Sequence, residues 1–458
     1  MKAPSFTRDE VLRSMPGPTQ ELVDRVARFA QKAGARVFLV GGPVRDLLIG
    51  RPIRDVDLLV EASKGAAVAA REIAERAAPE EARVVTYGRF GTLRIEAGET
   101  RLDLAAMRSE SYSRPGALPT VSDGDLSQDL LRRDFTINAL AIPLEPGGAE
   151  ERLSVIDQVG GLEDLDAQRL RIMHPRSFHD DPTRVLRAAR LGGRLGFSLA
   201  RPTRAALRDA LRDGVFGAVS GDRLRREIEK CFGDAALGLD PPAALRRLSE
   251  WHVLTALEPG FELPRGSVTA LRRLGRVLAE PVWRGPRHRG WVAGLSIWLA
   301  PLPPALRRRA LARFNVRGET AKRILGFSRL RDSMLRQLGP ARGRGAVDAA
   351  LFGVAEEDLL ALYAVTDTAL RRRIERWAAE DRLRRVPLTG NELVALGLEG
   401  PAIGRTLTRV RAAFLDGEVA NREEATALAE ELVRRGRRRV GAGRGGKKKK
   451  AAKRPKKP

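Results

Sequence analysis

Apolar positions in the first third of the chain alternate between helical and strand spacing. Thr19 to Gly34 places Leu22, Val23, Val26, Phe29 and Ala30 on one helical stripe and stops at Gly34. Arg36 to Val40 reads as a strand, and Pro43 to Ile49 as a helix with proline in its first turn. Val56 to Val60 is the next strand, followed by a helix over Ser63 to Ala78 opened by Ser63. Three β-type runs follow at Arg83 to Tyr87, Thr92 to Glu96 and Thr100 to Ala105, the last two joined by a hairpin at Ala97-Gly98-Glu99. This mixed unit closes near Pro143. Beyond Pro146 the strand patterns stop. Leu-, Ala- and Arg-rich helical patterns continue to about Val433 with no solenoid period, and from Gly436 the composition is low-complexity and basic, predicting disorder when free.

One stretch departs from this patterning. In FLVGGPVRDLLIGRPIRDVDLLVE, from Phe38 to Glu61, two acids enter a run that otherwise wants to be buried. Asp55 and Asp57 are two apart, so on a strand both side chains emerge on one face. Like charges at that spacing repel, and a hard divalent cation, Mg²⁺ or Mn²⁺, would resolve the repulsion. Asp103, on the later run RLDLAAM, could pair alongside as a third carboxylate. Taken alone, Asp-x-Asp is more often a strand end at solvent. Gly41-Gly42 changes that weighting: it lies between a strand and a helix carrying Arg45, where bare backbone N–H groups can approach an anion. Phosphate binding beside metal binding is what nucleotidyl transfer from a triphosphate requires, one cation activating a 3′-hydroxyl and another stabilising the leaving pyrophosphate.

At 458 residues the chain calls for two to four domains. A single cysteine, Cys231, excludes a disulfide framework and a cysteine-rich metal site. No apolar run reaches the ~18 residues of a bilayer span, and the N-terminus lacks the apolar core of a secretory signal, so a cytoplasmic protein without a membrane partner is expected. The net charge of +25 points to a polyanion, most simply nucleic acid. The last 25 residues hold 14 Lys and Arg and no acid, so +11 remains without them. Arginine replacing lysine on solvated faces is the alternative account of the body. It does not account for the lysine-rich GGKKKKAAKRPKKP.

GGPVRDLLIGRPIRDVDLLVE resembles the first signature of the class II tRNA nucleotidyltransferase and bacterial poly(A) polymerase family. DLLRRDFTINALAI, from Asp129 to Ile142, resembles its second signature. HDDPTRVLRAARLGGRLGF, from His179 to Phe197, resembles the nucleotide-selecting helix, and SGDRLRREIEKCF, from Ser220 to Phe232, a further neck segment. The resemblance implies an α+β protein: a polymerase-β-like nucleotidyltransferase head with a mixed sheet, then all-α neck, body and tail domains. The corresponding boundaries are 19–145 for the head, 146–235 for the neck, 236–385 for the body, 386–433 for a tRNA-binding tail and 434–458 for a disordered basic extension. It implies further that Asp55, Asp57 and Asp103 hold Mg²⁺ or Mn²⁺ and carry catalysis. Gly41, Gly42, Arg45, Arg132, Arg133, Asp134 and Asn138 would bind the sugar and triphosphate of the incoming nucleotide.

Asp181 and Arg184 are three apart on a predicted helix and so can face one way. Cytosine and adenine share an amino donor beside a ring-nitrogen acceptor, whereas uracil and guanine present the opposite pattern. A carboxylate accepting from the amino group and a guanidinium donating to the ring nitrogen would admit C and A without a template. An i,i+3 surface ion pair is the plainer reading of the same two residues. Pro387 to Val419 resembles the tail of tRNA-type members and reads as two helices broken at Gly397 and Gly400-Pro401. The basic C-terminus points instead to some poly(A) polymerases, or to a general RNA tether. The segment Met107 to Asp129 reads as polar and flexible, matching the mobile loop of the family. The expected partners are therefore the tRNA 3′ end, ATP and CTP, with the basic tail contacting RNA.

Overall fold

The computed structural model describes residues 3–63, 65–87, 92–145, 151–286 and 288–448, with side chains as far as 435. Nine strands matter for the site: β1 (Arg36–Val40), β2 (Val56–Glu61), β3 (Arg83–Tyr87), β4 (Thr92–Ala97), β5 (Thr100–Ala106), β6 (Arg108–Ser111), β7 (Thr120–Asp123), β8 (Leu140–Pro143) and β9 (Ile156–Asp157). Seven of them form one mixed sheet in the order β9-β8-β1-β2-β5-β4-β3, while β6 and β7 pair as a separate hairpin. Among the described residues the only parallel pair in the large sheet is β2 with β5; its other pairs are antiparallel.

The period-two alternation of β2 sorts its residues between two faces. Val56, Leu58 and Val60 enter the larger apolar cluster, with Leu102 and Leu104 of β5. Helices α1 (Gly17–Lys32) and α3 (Ala66–Ala77) bring Val23, Val26, Ile73 and Ala74 to the same cluster. Asp57 and Leu59 point the other way, where Leu59, Phe38, Val40 and Leu130 form a smaller cluster. The acids therefore occupy the sheet face opposite the two long helices. Between β1 and β2 lies α2 (Gly42–Leu48), and α4 (Leu126–Leu131) follows the hairpin with an Asp125/Gln128 capping box.

Several expectations need correction. Helix α3 begins at Ala66 behind Gly65, which takes the left-handed conformation and supplies no side-chain cap, so Ser63 does not open it. Strands do not stop at Pro146: β9 forms the edge of the main sheet past the expected boundary at 145, Arg152–Ser154 pairs with Ser5–Thr7, and Arg169–Leu170 pairs with Ser198–Leu199. These strands are two or three residues long, too short for alternation to show. Met107 to Asp129 is not a structureless polar loop, since it holds the β6–β7 hairpin and most of α4. The last helix runs from Arg422 to Lys448, into the segment expected to be disordered. Arg434 and Arg435 continue a ladder already nucleated by the packed Ala425 and Ala429, whereas the five glycines between 436 and 446 disfavour helix, so propensity does not account for the rest of it. Residues 449–458 of that expected extension lie outside the described residues.

The chain divides into two compact units. One comprises 1–228 with 243–262 and 313–315; the other comprises 229–242, 263–312 and 316–458. The second unit is helical among its described residues. Its most apolar stretch, Gly290–Leu299, is a buried helix, and no helix among the described residues is long and apolar enough to cross a membrane. Helices Gly390–Ala395 and Pro401–Asp416 flank Gly397 and Gly400, both at positive φ, as the sequence predicts.

Candidate active site

The parallel pairing of β2 and β5 sets Asp57 directly beside Asp103, and the antiparallel pairing of β5 and β4 sets Asp103 across from Arg94. Asp55 lies one residue ahead of β2 and is exposed. Neither Asp55 nor Asp57 makes a hydrogen bond or ion pair among the described residues, which suits oxygen donors for a hard cation. Asp57 retains exposed surface, yet protein crowds its carboxyl group and that burial pushes its pKa up to about 6. Arg133 opposes the rise, Asp103 and Asp55 add to it, and Arg94 opposes it again. Asp103 differs from its neighbours. Arg94 donates to it twice, Nε to Oδ1 at 2.7 Å and Nη2 to Oδ2 at 2.8 Å. Among the described residues no three acids, histidines or cysteines stand together as a ready metal cluster. Asp55 and Asp57 thus fit a cation as they stand, and Asp103 fits only in competition with Arg94.

Gly41 ends β1 at φ 77°, a conformation that favours glycine, and its N–H donates to the Leu140 carbonyl. A side chain there would also meet Arg133, whose Nη1 lies 2.6 Å from the position of a Cβ. Gly42 is the first residue of α2. Arg133 runs beside this turn. It donates from Nη2 to Asp129 Oδ1 and from Nη1 to the Asn138 carbonyl, and its buried Nε has no partner among the described residues. Arg132 is held by Asp129 and by Glu110 of β6. Asp129, fully buried, thus anchors both arginines from three and four residues upstream, a helical spacing that the sequence does display.

Three expected phosphate-binding residues turn away from solvent. Arg45 is buried, donating to Asn138 Oδ1 at 2.6 Å and to Asp46. Asn138 spends its amide nitrogen on Asp134 Oδ1 at 2.9 Å. Asp134 also accepts from the Phe135 N–H and from Arg187. Arg45, Asn138 and Asp134 thus form one satisfied internal chain beneath the turn rather than a phosphate-facing set.

Asp181 and Arg184 do not share a helix. Pro182 displaces the helix start, so Asp181 stands in extended backbone between α5 (Ser177–Asp180) and α6 (Thr183–Leu195). Nor do the two side chains pair. Asp181 Oδ1 accepts from the Thr183 N–H at 2.9 Å, from Thr183 Oγ1 at 2.6 Å and from Arg223 Nη2 at 2.7 Å, while Oδ2 has no partner among the described residues. Arg184 is buried. It donates to Ser177 Oγ, to the Arg132 carbonyl and, at 3.4 Å, to the Tyr112 hydroxyl. Tyr112 follows β6, and burial pushes its phenol up to about 12. Arg223 of α7 (Gly221–Gly233) also donates to the Gly116 carbonyl at the hairpin tip, and the Gly116 N–H donates to His179 O. Arg94, Tyr112 and Arg223 escape sequence reading because only strand pairing and long-range contact bring them to Asp103, Arg184 and Asp181 respectively.

A family model described as the poly A polymerase head domain matches residues 37–171. An A-adding tRNA nucleotidyltransferase of Geobacter sulfurreducens is 30% identical over 92% of this chain, which spans 48% of that protein. A CC-adding tRNA nucleotidyltransferase of Deinococcus radiodurans is 32% identical over 85% of this chain and 88% of its own length. The solved structure of the Thermotoga maritima CCA-adding enzyme complexed with tRNA is similar at a TM-score of 0.63 and 26% identity, covering 94% of this chain and all of that one.

Proposed function

Because the chain belongs to the tRNA nucleotidyltransferase family, we propose that it adds C, A or both to the 3′ end of tRNA, using CTP and ATP without a template. The observation that carries this reading is the row formed by Asp57 and Asp103 across β2 and β5, with Asp55 just ahead of it and Gly41 at the adjoining turn. The family implies a divalent cation, which we take to be Mg²⁺ or Mn²⁺ held by Asp55 and Asp57, with Asp103 as the third ligand. When bound, the cation activates the RNA 3′-hydroxyl and offsets charge on the triphosphate.

The remaining work falls to side chains. Arg133 is the cation that acts most strongly on Asp57 and, with Arg132, stands ready for the triphosphate over Gly41 and Gly42. Arg45, Asp134 and Asn138 support that surface from beneath instead of touching phosphate. Asp181 Oδ1 is fixed by three donors, which leaves Oδ2 to accept from the amino group of C or A. Arg184 supplies the opposite polarity by exchanging its long bond to Tyr112 for the ring nitrogen. The tail helices and the basic C-terminus complete the proposal as the tRNA-contacting parts.

The test is incorporation of each labelled nucleotide into tRNA lacking all or part of CCA. CTP or ATP should extend the product by one to three nucleotides, with UTP and GTP rejected. Long homopolymers of A would replace this reading with poly(A) polymerase, and binding without incorporation would make the protein an RNA-binding module.

A further inference from the structure

We propose that Arg94 competes with a divalent cation for Asp103, and so gates the third carboxylate of the site. Resting on the reading of Asp55 and Asp57 as cation ligands, the proposal follows from an asymmetry among the three acids. Asp103 sits between two opposite influences in one cross-strand row, Asp57 on the β2 side and Arg94 on the β4 side. Adjacent strands lie only ~4.8 Å apart, so residues at one register are obligatory neighbours. Asp55 and Asp57 make no ion pair among the described residues, whereas Asp103 gives both oxygens to one planar fork.

The fork itself is held. Its guanidinium carbon lies 4.4 Å from the centre of the Tyr87 ring on β3, so the pair is braced from the third strand. Arg94 and Asp103 are both partly shielded from solvent, which strengthens their attraction relative to an exposed pair. A guanidinium and a divalent cation on one carboxylate repel each other. Full ligation by Asp103 therefore requires the fork to open, and until then Arg94 spares Asp57 the repulsion of a bare neighbour. The other basic groups near the row, Arg133 above all, are anchored to Asp129 instead. Among the described residues, Arg94 alone combines direct opposition to a site acid with bidentate contact.

Mn²⁺ binding to the full-length protein, followed by the electron paramagnetic resonance signal of free Mn²⁺ without nucleotide, tests this directly. Arg94→Gln should tighten Mn²⁺ binding about tenfold, and the tightening should vanish when Asp103→Asn is added. Arg94→Lys, which keeps the charge but loses the fork, should fall between wild type and Arg94→Gln. Unchanged or weaker Mn²⁺ binding in Arg94→Gln overturns the gate. Equal tightening in the Asp103→Asn background also overturns it, because the effect would then be charge acting through space. If Asp55→Asn/Asp57→Asn binds Mn²⁺ as wild type does, the underlying cation-site reading fails, whatever Arg94→Gln shows.

Discussion

Arg187 and Asp134 are joined by an ion pair across 53 residues of chain, Nε to Oδ2 at 2.8 Å and Nη2 to the same oxygen at 2.7 Å. The bond ties α6, which follows Asp181, to the turn that follows Arg133. Burial alone would push the Asp134 carboxyl up. The attraction of Arg187 and the Asn138 amide more than reverse this and hold it at about 2.

Acid stability follows with a definite sign. A carboxylate held below its unfolded value contributes stability that is fully present above about pH 4 and fades as pH falls toward 2. Asp134→Asn should therefore cost about 2 kcal/mol at pH 7 and much less near pH 2. Urea unfolding of both proteins at pH 7 and pH 3 measures this. A constant difference across that range would show that Asp134 does not titrate as the ion pair requires.

Asp55→Ala or Asp57→Ala should abolish incorporation of both CTP and ATP, while tRNA binding persists. Both residues lack hydrogen-bonding partners among the described residues, so neither substitution should disturb folding. Filter binding alongside single-turnover incorporation separates the two effects. Normal incorporation by the double variant would remove these acids from the chemistry.

Replacing Asp181 or Arg184 with Ala should leave triphosphate binding largely intact but lower preference for CTP and ATP over UTP and GTP by about ten- to a hundredfold, the value of one charge-assisted bond. Arg223→Gln should lower it less, because Thr183 still holds Oδ1 from two sides. Competition among the four nucleotides for one tRNA end gives the ratios. Full preference retained in both alanine variants would place base choice elsewhere.

Truncation after Val433 should preserve folding, since Leu428, Ala429 and Leu432 already complete the last helix's apolar face. The removed segment contains 14 basic residues, so RNA affinity should drop, and the dependence of log K on log salt should flatten by about 0.7–0.9 per lost phosphate contact. Equal slopes for the two proteins would mean that this segment does not meet RNA.

Much of the first unit is legible in the sequence because its apolar runs are short and three of them, β1, β3 and β4, stop directly before glycine. β1 and β3 fall where the pattern puts them, and β2, β4 and β5 differ by a single residue at one end. That the strands carrying Asp57 and Asp103 lie side by side is likewise foreseeable, because two apolar runs carry acids. Register is not foreseeable, and register alone assigns Arg94 to Asp103. Local spacing also misleads at Asp181, where Pro182 moves the helix start, and at Arg45, whose helix offers no hint of the Asn138 amide 93 residues away. The second unit's helices follow from apolar spacing, but nothing in that spacing reports what they are for.

The hairpin tip and Asp181 hang from one guanidinium: Arg223 gives Nη1 to the Gly116 carbonyl and Nη2 to the carboxylate. A planar fork cannot follow two targets that move apart, so the two contacts share a single mechanical degree of freedom. Thermodynamic reciprocity then applies. Any ligand whose affinity changes when the tip is displaced must itself bias the tip by the same factor. On the proposed reading a base resting on Asp181 Oδ2 would be such a ligand, and its departure and the tip's relaxation would be two readings of one equilibrium.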